Sequence, residues 1–163
     1  MSARRITTTH NFDNSQGFPP ICSGADRVLV LGSFPGQASL QKQQYYGHPH
    51  NGFWRIMGEL LGFDPQLGYP ERVSMLNRNR VALWDVLTSC SRKGSLASSI
   101  LKDSMVLNDF ENFFEKNNLI HTVLFKGTVA EAQFKRHVTK LDTIRKRTFE
   151  LHRLPSTSPA MAT

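Results

Sequence analysis

The sequence predicts an α/β fold: a three-layer α/β/α sandwich around a central, mainly parallel four-stranded sheet. Two observations carry this reading. Short apolar runs alternate with segments of helical spacing from residue 27 onward. That alternation is the pattern of right-handed crossovers between parallel strands. The chain has 163 residues, 39% hydrophobic and 20% charged, which suits one core of ordinary size rather than a disordered segment.

Taken in order, residues 1–26 hold several turn formers and little periodicity, so they read as a loop-rich arm ahead of one domain over 27–163. RVLVL at 27–31 is a β-branched apolar run that stops at Gly32, the mark of a buried strand entering a turn. Phe53, Ile56, Met57, Leu60 and Leu61 recur at helical spacing, with Asn51 ahead as N-cap and Gly62 behind as stop. Residues 71–77 predict a short helix and VALWDVL at 81–87 a second strand. A helix follows over 108–116, capped by Asn108, and a strand over 122–125 ending near Gly127. Residues 128–138 predict a helix opened by a Thr128…Glu131 capping box. The fourth strand, 149–154, runs into PSTSPA. In such sheets ligands sit beyond the carboxyl ends of the strands. The loops GSFPG and PSTSPA should therefore open onto the same edge.

Composition narrows the chemistry. Lys plus Arg outnumber Asp plus Glu by 20 to 13, a formal charge of +7, which favours a polyanionic partner. Arg145, Lys146 and Arg147 stand in the densest basic stretch. Cys22 and Cys90 are far apart and read as free thiols of a reducing compartment. No apolar run approaches a membrane span, and the N-terminus lacks a secretory apolar stretch, so the expected location is cytoplasmic.

The stretch GSFPGQASLQKQQYYGHPHNGFW at 32–54 asks for more than packing. Gly32 and Gly36 let backbone amides approach a ligand, with Pro35 fixing the loop around Ser33 and Phe34. Tyr46, between a tyrosine and a glycine, suits stacking on a flat heterocycle, whereas Phe53 and Trp54 read as core. His48 and His50 lack a third ligand, so no metal is expected. No Asp or Glu occurs from Val28 to Met57, which disfavours a carboxylate-driven centre in this segment and leaves Asn51 as its neutral amide. The serines of PSTSPA suit a phosphodiester backbone.

GSFPG, YYGHPHNGFW and LPSTSPA, in this order, resemble the uracil-DNA glycosylase superfamily, most closely its hypoxanthine-DNA glycosylase branch. The resemblance runs from about Arg27 to Ala160. It implies a monofunctional DNA N-glycosylase without cofactor. Such an enzyme acts as a monomer and releases hypoxanthine, or uracil or xanthine, to leave an abasic site. Where the superfamily sets an Asp or Asn before the first-motif proline, this chain has Phe34. The resemblance then places the water-positioning role on Asn51 and base stacking on Tyr46 beside His48. Gly32, Ser33, Phe34, Pro35 and Gly36 line the base. Ser156, Thr157, Ser158 and Pro159 hold the DNA backbone, and Ala160 or Met161 fills the vacated stack. Lys126 stands where an asparagine is expected in close relatives. The alternatives are a uracil or thymine mismatch glycosylase on the same scaffold and a non-catalytic lesion-binding module. A nucleotide-binding enzyme is disfavoured, since GxGxxG and GxxxxGK[ST] are absent.

Overall fold

The computed structural model describes residues 15–159. The expected roles of Ala160 and Met161 lie outside the described residues. Four strands form the central sheet: β1 (Val28–Gly32), β2 (Val81–Asp85), β5 (Thr122–Lys126) and β6 (Glu150–Leu154). Their order is β2-β1-β5-β6 and every pairing is parallel. The run 81–87 breaks after Asp85, because β3 (Leu87–Ser89) leaves the sheet to pair antiparallel with β4 (Val106–Leu107).

Helices α1 (Gln37–Lys42), α2 (Phe53–Leu61) and α3 (Tyr69–Arg78) connect β1 to β2. Helix α4 (Phe110–Lys116) leads to β5. Helix α5 (Thr128–Gln133), its π-helical continuation Phe134–Val138 and α6 (Asp142–Arg145) lead to β6. The β1-to-β2 step moves one way along the sheet and the β5-to-β6 step the other. Right-handed crossovers therefore put α1–α3 on one face and α4–α6 on the opposite face. The point where the chain reverses lies between β1 and β5, and their carboxyl ends part there to leave a crevice.

Both faces are sealed. Leu29, Leu31, Val123 and Phe125 of the central strands are fully buried. Phe110, Phe114 and Phe134 build an aromatic layer over one face. On the other, Trp54 meets Tyr69 edge to face at 5.9 Å and donates its indole N–H to the Tyr45 carbonyl. Residues 15–26 run beside β2: Ile21 bridges Leu83, and Trp84 Nε1 donates to the Phe18 carbonyl.

Three caps depart from expectation. In α2, Gly52 takes the cap position, but the Asn51 carboxamide makes the capping bond, accepting the Phe53 amide at 2.9 Å. Asp109, not Asn108, caps α4 by accepting the Asn112 amide. Asn108 instead donates to the backbone carbonyl of Asp85 at 2.7 Å. The Thr128 capping box does not form, because Gly127 turns the chain at φ 92° and Glu131 pairs with Lys135 and Arg153. Helix α2 also leaves Ile56 and Leu60 exposed, so its helical spacing is only partly a core stripe.

Candidate active site

A cavity of about 510 Å³ occupies the crevice beyond the carboxyl ends of β1 and β5. It is a usual size for a small-molecule site. Its walls are four segments remote in sequence: 32–39 after β1, 45–51 before α2, 95–98 from the β3–β4 connection, and 156–159 after β6. Asp85 and Lys126, the last residues of β2 and β5, and residues 127–129 at the start of α5 complete the lining.

Each segment is held by identifiable bonds. Gly32 lies opposite Asp85 in the register. A Cβ on Gly32 would stand 2.5 Å from Asp85 Oδ1 and 3.2 Å from the Tyr46 hydroxyl, so only glycine fits there. Pro35 accepts a bond from the buried Arg92, whose guanidinium also sits 5.4 Å from the Phe34 ring centroid. The backbone amides of Phe34 and Gly36 donate to no group among the described residues, and both residues line the cavity. The Ser95 hydroxyl accepts the Gln37 amide and ties the third wall to the first.

The two tyrosines have different work. Tyr45 is buried and donates its hydroxyl to the Pro19 carbonyl. Tyr46 adopts φ 53°, unusual for a bulky residue, and stacks on Phe53 with ring centroids 4.0 Å apart. Its hydroxyl is fully buried without a partner, and burial raises its pKa well above the usual phenol range.

Asn51 lines the same cavity, half-buried. Its amide donates to the His48 carbonyl at 2.9 Å, closing the turn, while its Oδ1 is fixed by the Phe53 amide. That bond leaves one lone pair on Oδ1 and the whole of Nδ2 uncommitted. His48 is exposed, and its Nδ1 accepts the His50 amide. Among the described residues, no three His, Cys, Asp or Glu side chains are grouped to hold a metal.

Sequence reasoning missed Asp85. It is 5% exposed, and its Oδ2 has no hydrogen-bond partner. Burial raises its pKa from 3.8 to about 7, opposed by the charge of Arg92. The signal was a carboxylate closing the run VALWD at the ligand-binding edge. Lys126 is the matching cation. Nζ donates to Thr157 Oγ1 at 2.6 Å, and burial lowers its pKa from 10.5 to about 8. Nζ lies 5.2 Å from the Tyr46 centroid and 5.3 Å from that of Phe53. A point equidistant from two stacked rings sits beside the stack, not over an outer face, so ring quadrupoles do little to hold this charge.

The structure thus brings Gly32, Ser33, Phe34, Pro35, Gly36, Tyr46, His48, Asn51, Ser156, Thr157, Ser158 and Pro159 around one cavity. The Gly52 amide donates to the Thr157 carbonyl, joining the second wall to the fourth. Arg145, Lys146 and Arg147 are not part of it. They precede β6 and lie at the amino end of the sheet, across the full strand length from the cavity. Arg145 pairs with Asp142, and Arg147 donates to the carbonyls of Phe114, Asn118 and Ile120. Clustering in sequence had suggested a DNA-facing role for this run. The structure sets the run at the other end of the sheet from the cavity.

Comparison with known proteins agrees with this architecture. A family model described as the uracil DNA glycosylase superfamily matches residues 19–163. A Methanosarcina barkeri protein named hypoxanthine DNA glycosylase is 42% identical over 113 residues, covering 69% of this chain and 70% of the relative. A Methanosarcina acetivorans protein of the same name is 38% identical over 116 residues, covering 71% and 72%. The solution NMR structure of a Methanosarcina acetivorans protein, provisionally assigned as a uracil DNA glycosylase, superposes with a TM-score of 0.75 at 34% identity. It covers 91% of this chain and 87% of that one. With the motifs, the sheet and the cavity in accord, the chain belongs to the uracil DNA glycosylase superfamily and is a DNA N-glycosylase.

Proposed function

We propose that this protein releases hypoxanthine from deoxyinosine in DNA, with Asn51 positioning the attacking water. The observation that carries this reading is the meeting of Asn51, the amides of the GSFPG loop and the Tyr46 ring around one cavity. The reading also takes support from the relatives named hypoxanthine DNA glycosylase.

The base must leave the stack to reach such a cavity, at a cost of a few kcal/mol that is smaller at a mispair. Tyr46, backed by Phe53, offers a flat surface for it. The amides of Phe34 and Gly36 meet a base carbonyl. The Asp85 carboxylate, through Oδ1, and the Tyr46 hydroxyl face the same small volume in front of Gly32, and Oδ2 of that carboxylate and the hydroxyl have no partner. Ionised Asp85 accepts the N–H of a lactam and the hydroxyl donates to the adjoining carbonyl, a pair of contacts adenine cannot satisfy. Backbone dipoles stabilise the negative charge that builds on the departing base.

Water then adds to the sugar C1′. The free lone pair of Asn51 Oδ1 accepts one water proton and aims the oxygen lone pair at the carbon. A neutral amide is a weak base, but a dissociative reaction asks for position above all. Ser156 to Pro159 border the cavity where the flanking phosphates would run. The enzyme works in this account as a monomer on nucleoid DNA in the cytoplasm, without cofactor.

A panel of duplexes carrying inosine, xanthine or uracil, followed by alkaline cleavage, tests the reading on wild type beside Asn51→Ala. Inosine strands should be cut by wild type and spared by the variant. Release of uracil alone would move the assignment to a uracil glycosylase. Lesion binding without any abasic product would make the protein a binding module.

A further inference from the structure

Lys126 has no part in base release as derived above, yet it lines the cavity in which the product would form. Nζ donates to Thr157 Oγ1, and the Thr157 carbonyl accepts the Gly52 amide. Amine, backbone-binding loop and the Asn51 turn therefore meet at Thr157, beside the place the proposed function gives to the sugar. Among the described residues no carboxylate forms an ion pair with Lys126; the acidic group on the cavity lining is Asp85. Burial without a counter-ion favours the neutral amine, the form with a nucleophilic lone pair. With a pKa of about 8, roughly a tenth of the side chain is neutral at pH 7.

We propose that Lys126 captures the abasic product, its Nζ forming an imine with C1′ of the ring-opened deoxyribose. This rests on the glycosylase reading only in that the cavity must admit C1′. The chemistry balances within the site. The amine lone pair bonds to the aldehyde carbon and one amine proton passes to the oxygen, giving a carbinolamine. A solvent proton then lets that oxygen leave as water, and the nitrogen lone pair closes the C=N⁺ bond. Adding water reverses each step and returns the lysine. The imine keeps a reactive aldehyde in the cavity until a strand-incising reaction consumes the abasic site. It also gives the enzyme a second chemistry beyond the hydrolysis its family implies.

The test uses the full chain and a duplex with a preformed abasic site, so that it does not depend on base release. With sodium cyanoborohydride at pH 7, wild type should yield a protein–DNA band on a denaturing gel. After trypsin the adduct should map to the peptide 117–135, uncut at Lys126 because the modified lysine is no longer a trypsin site. Lys126→Arg keeps the cation and a donor but cannot form an imine, and should lower trapping at least tenfold. Lys135→Met, an exposed control, should trap as wild type does. An adduct that maps to another lysine or to the N-terminus overturns the proposal, as does undiminished trapping in Lys126→Arg. Hypoxanthine released from an inosine duplex is measured in parallel. Release without trapping sinks the imine alone. Trapping at Lys126 without release sinks the hypoxanthine reading and leaves the imine standing.

Discussion

Two half-buried cations mark the two ends of β5, and their surroundings could hardly differ more. At the amino end, Arg147 donates to three backbone carbonyls and lies 4.7 Å from the Phe149 ring centroid. Its fork closes the turn between α4 and β5. At the carboxyl end, Lys126 has one hydroxyl partner and no counter-ion among the described residues. The contrast extends to the neighbours. Asp85 Oδ2 and the Tyr46 hydroxyl are both buried and unpartnered beside the cavity. A buried polar group without a partner costs stability. The amino end is built to hold the sheet together, and the carboxyl end to hold something else.

That contrast can be broken, and the largest effect should come from Asp85. Its folded pKa of about 7 lies above its ordinary 3.8, so the folded chain keeps a proton that the unfolded chain has lost. The stability it confers is complete below pH 4 and disappears as pH rises to 7. Relative to Asp85→Asn, wild type should lose on the order of 3–4 kcal/mol across that window, read as diverging Tm curves. Base release should climb over the same window, because only the carboxylate accepts a lactam N–H. Parallel Tm curves would show that Asp85 is not held protonated.

Arg147→Ala comes next. It strands three carbonyls and should cost about 3 kcal/mol, or about 10 °C in Tm, while changing DNA affinity less than twofold. A large loss of affinity with unchanged Tm would return Arg147 to the DNA interface. Lys126→Met should move stability the other way, upward by about 1 kcal/mol at pH 7, read as a higher Tm, since it removes an uncompensated buried charge. The smallest effect belongs to the double variant Arg145→Ala with Lys146→Ala. Both residues are exposed, and stability should shift by less than about 0.5 kcal/mol. The salt dependence of DNA binding should keep its slope, for these charges lie at the end of the sheet opposite the cavity.

The same contrast explains what could be read in advance. Strands and helices announce themselves by period, so β1, β5, β6, α2 and α4 stood out from their apolar spacing. Glycine and proline located the GSFPG and PSTSPA loops, and a parallel sheet put both at one edge. Helix α1 was missed, because QASLQK shows no apolar stripe and follows a turn signal. The wall from Ser95 to Ser98 had no signature at all, since a loop is placed by what it packs on. Asp85 was legible only in hindsight, as a polar residue closing an otherwise apolar strand, whereas Lys126 stood out as a departure from the asparagine expected there but without a role. Arg147 was read from charge alone, and its three carbonyl partners had no signal in the sequence. A run of charge along the sequence does not say which end of a sheet it will occupy.

The central claim is that the carboxyl end releases a base with water aimed by Asn51. Single-turnover release of hypoxanthine from an inosine duplex, measured for wild type and Asn51→Ala at saturating enzyme, tests it most directly. The variant should release base about a hundredfold more slowly, bind the same duplex as tightly, and melt within about 1 kcal/mol of wild type from the lost cap. Equal rates for the two proteins would contradict the account.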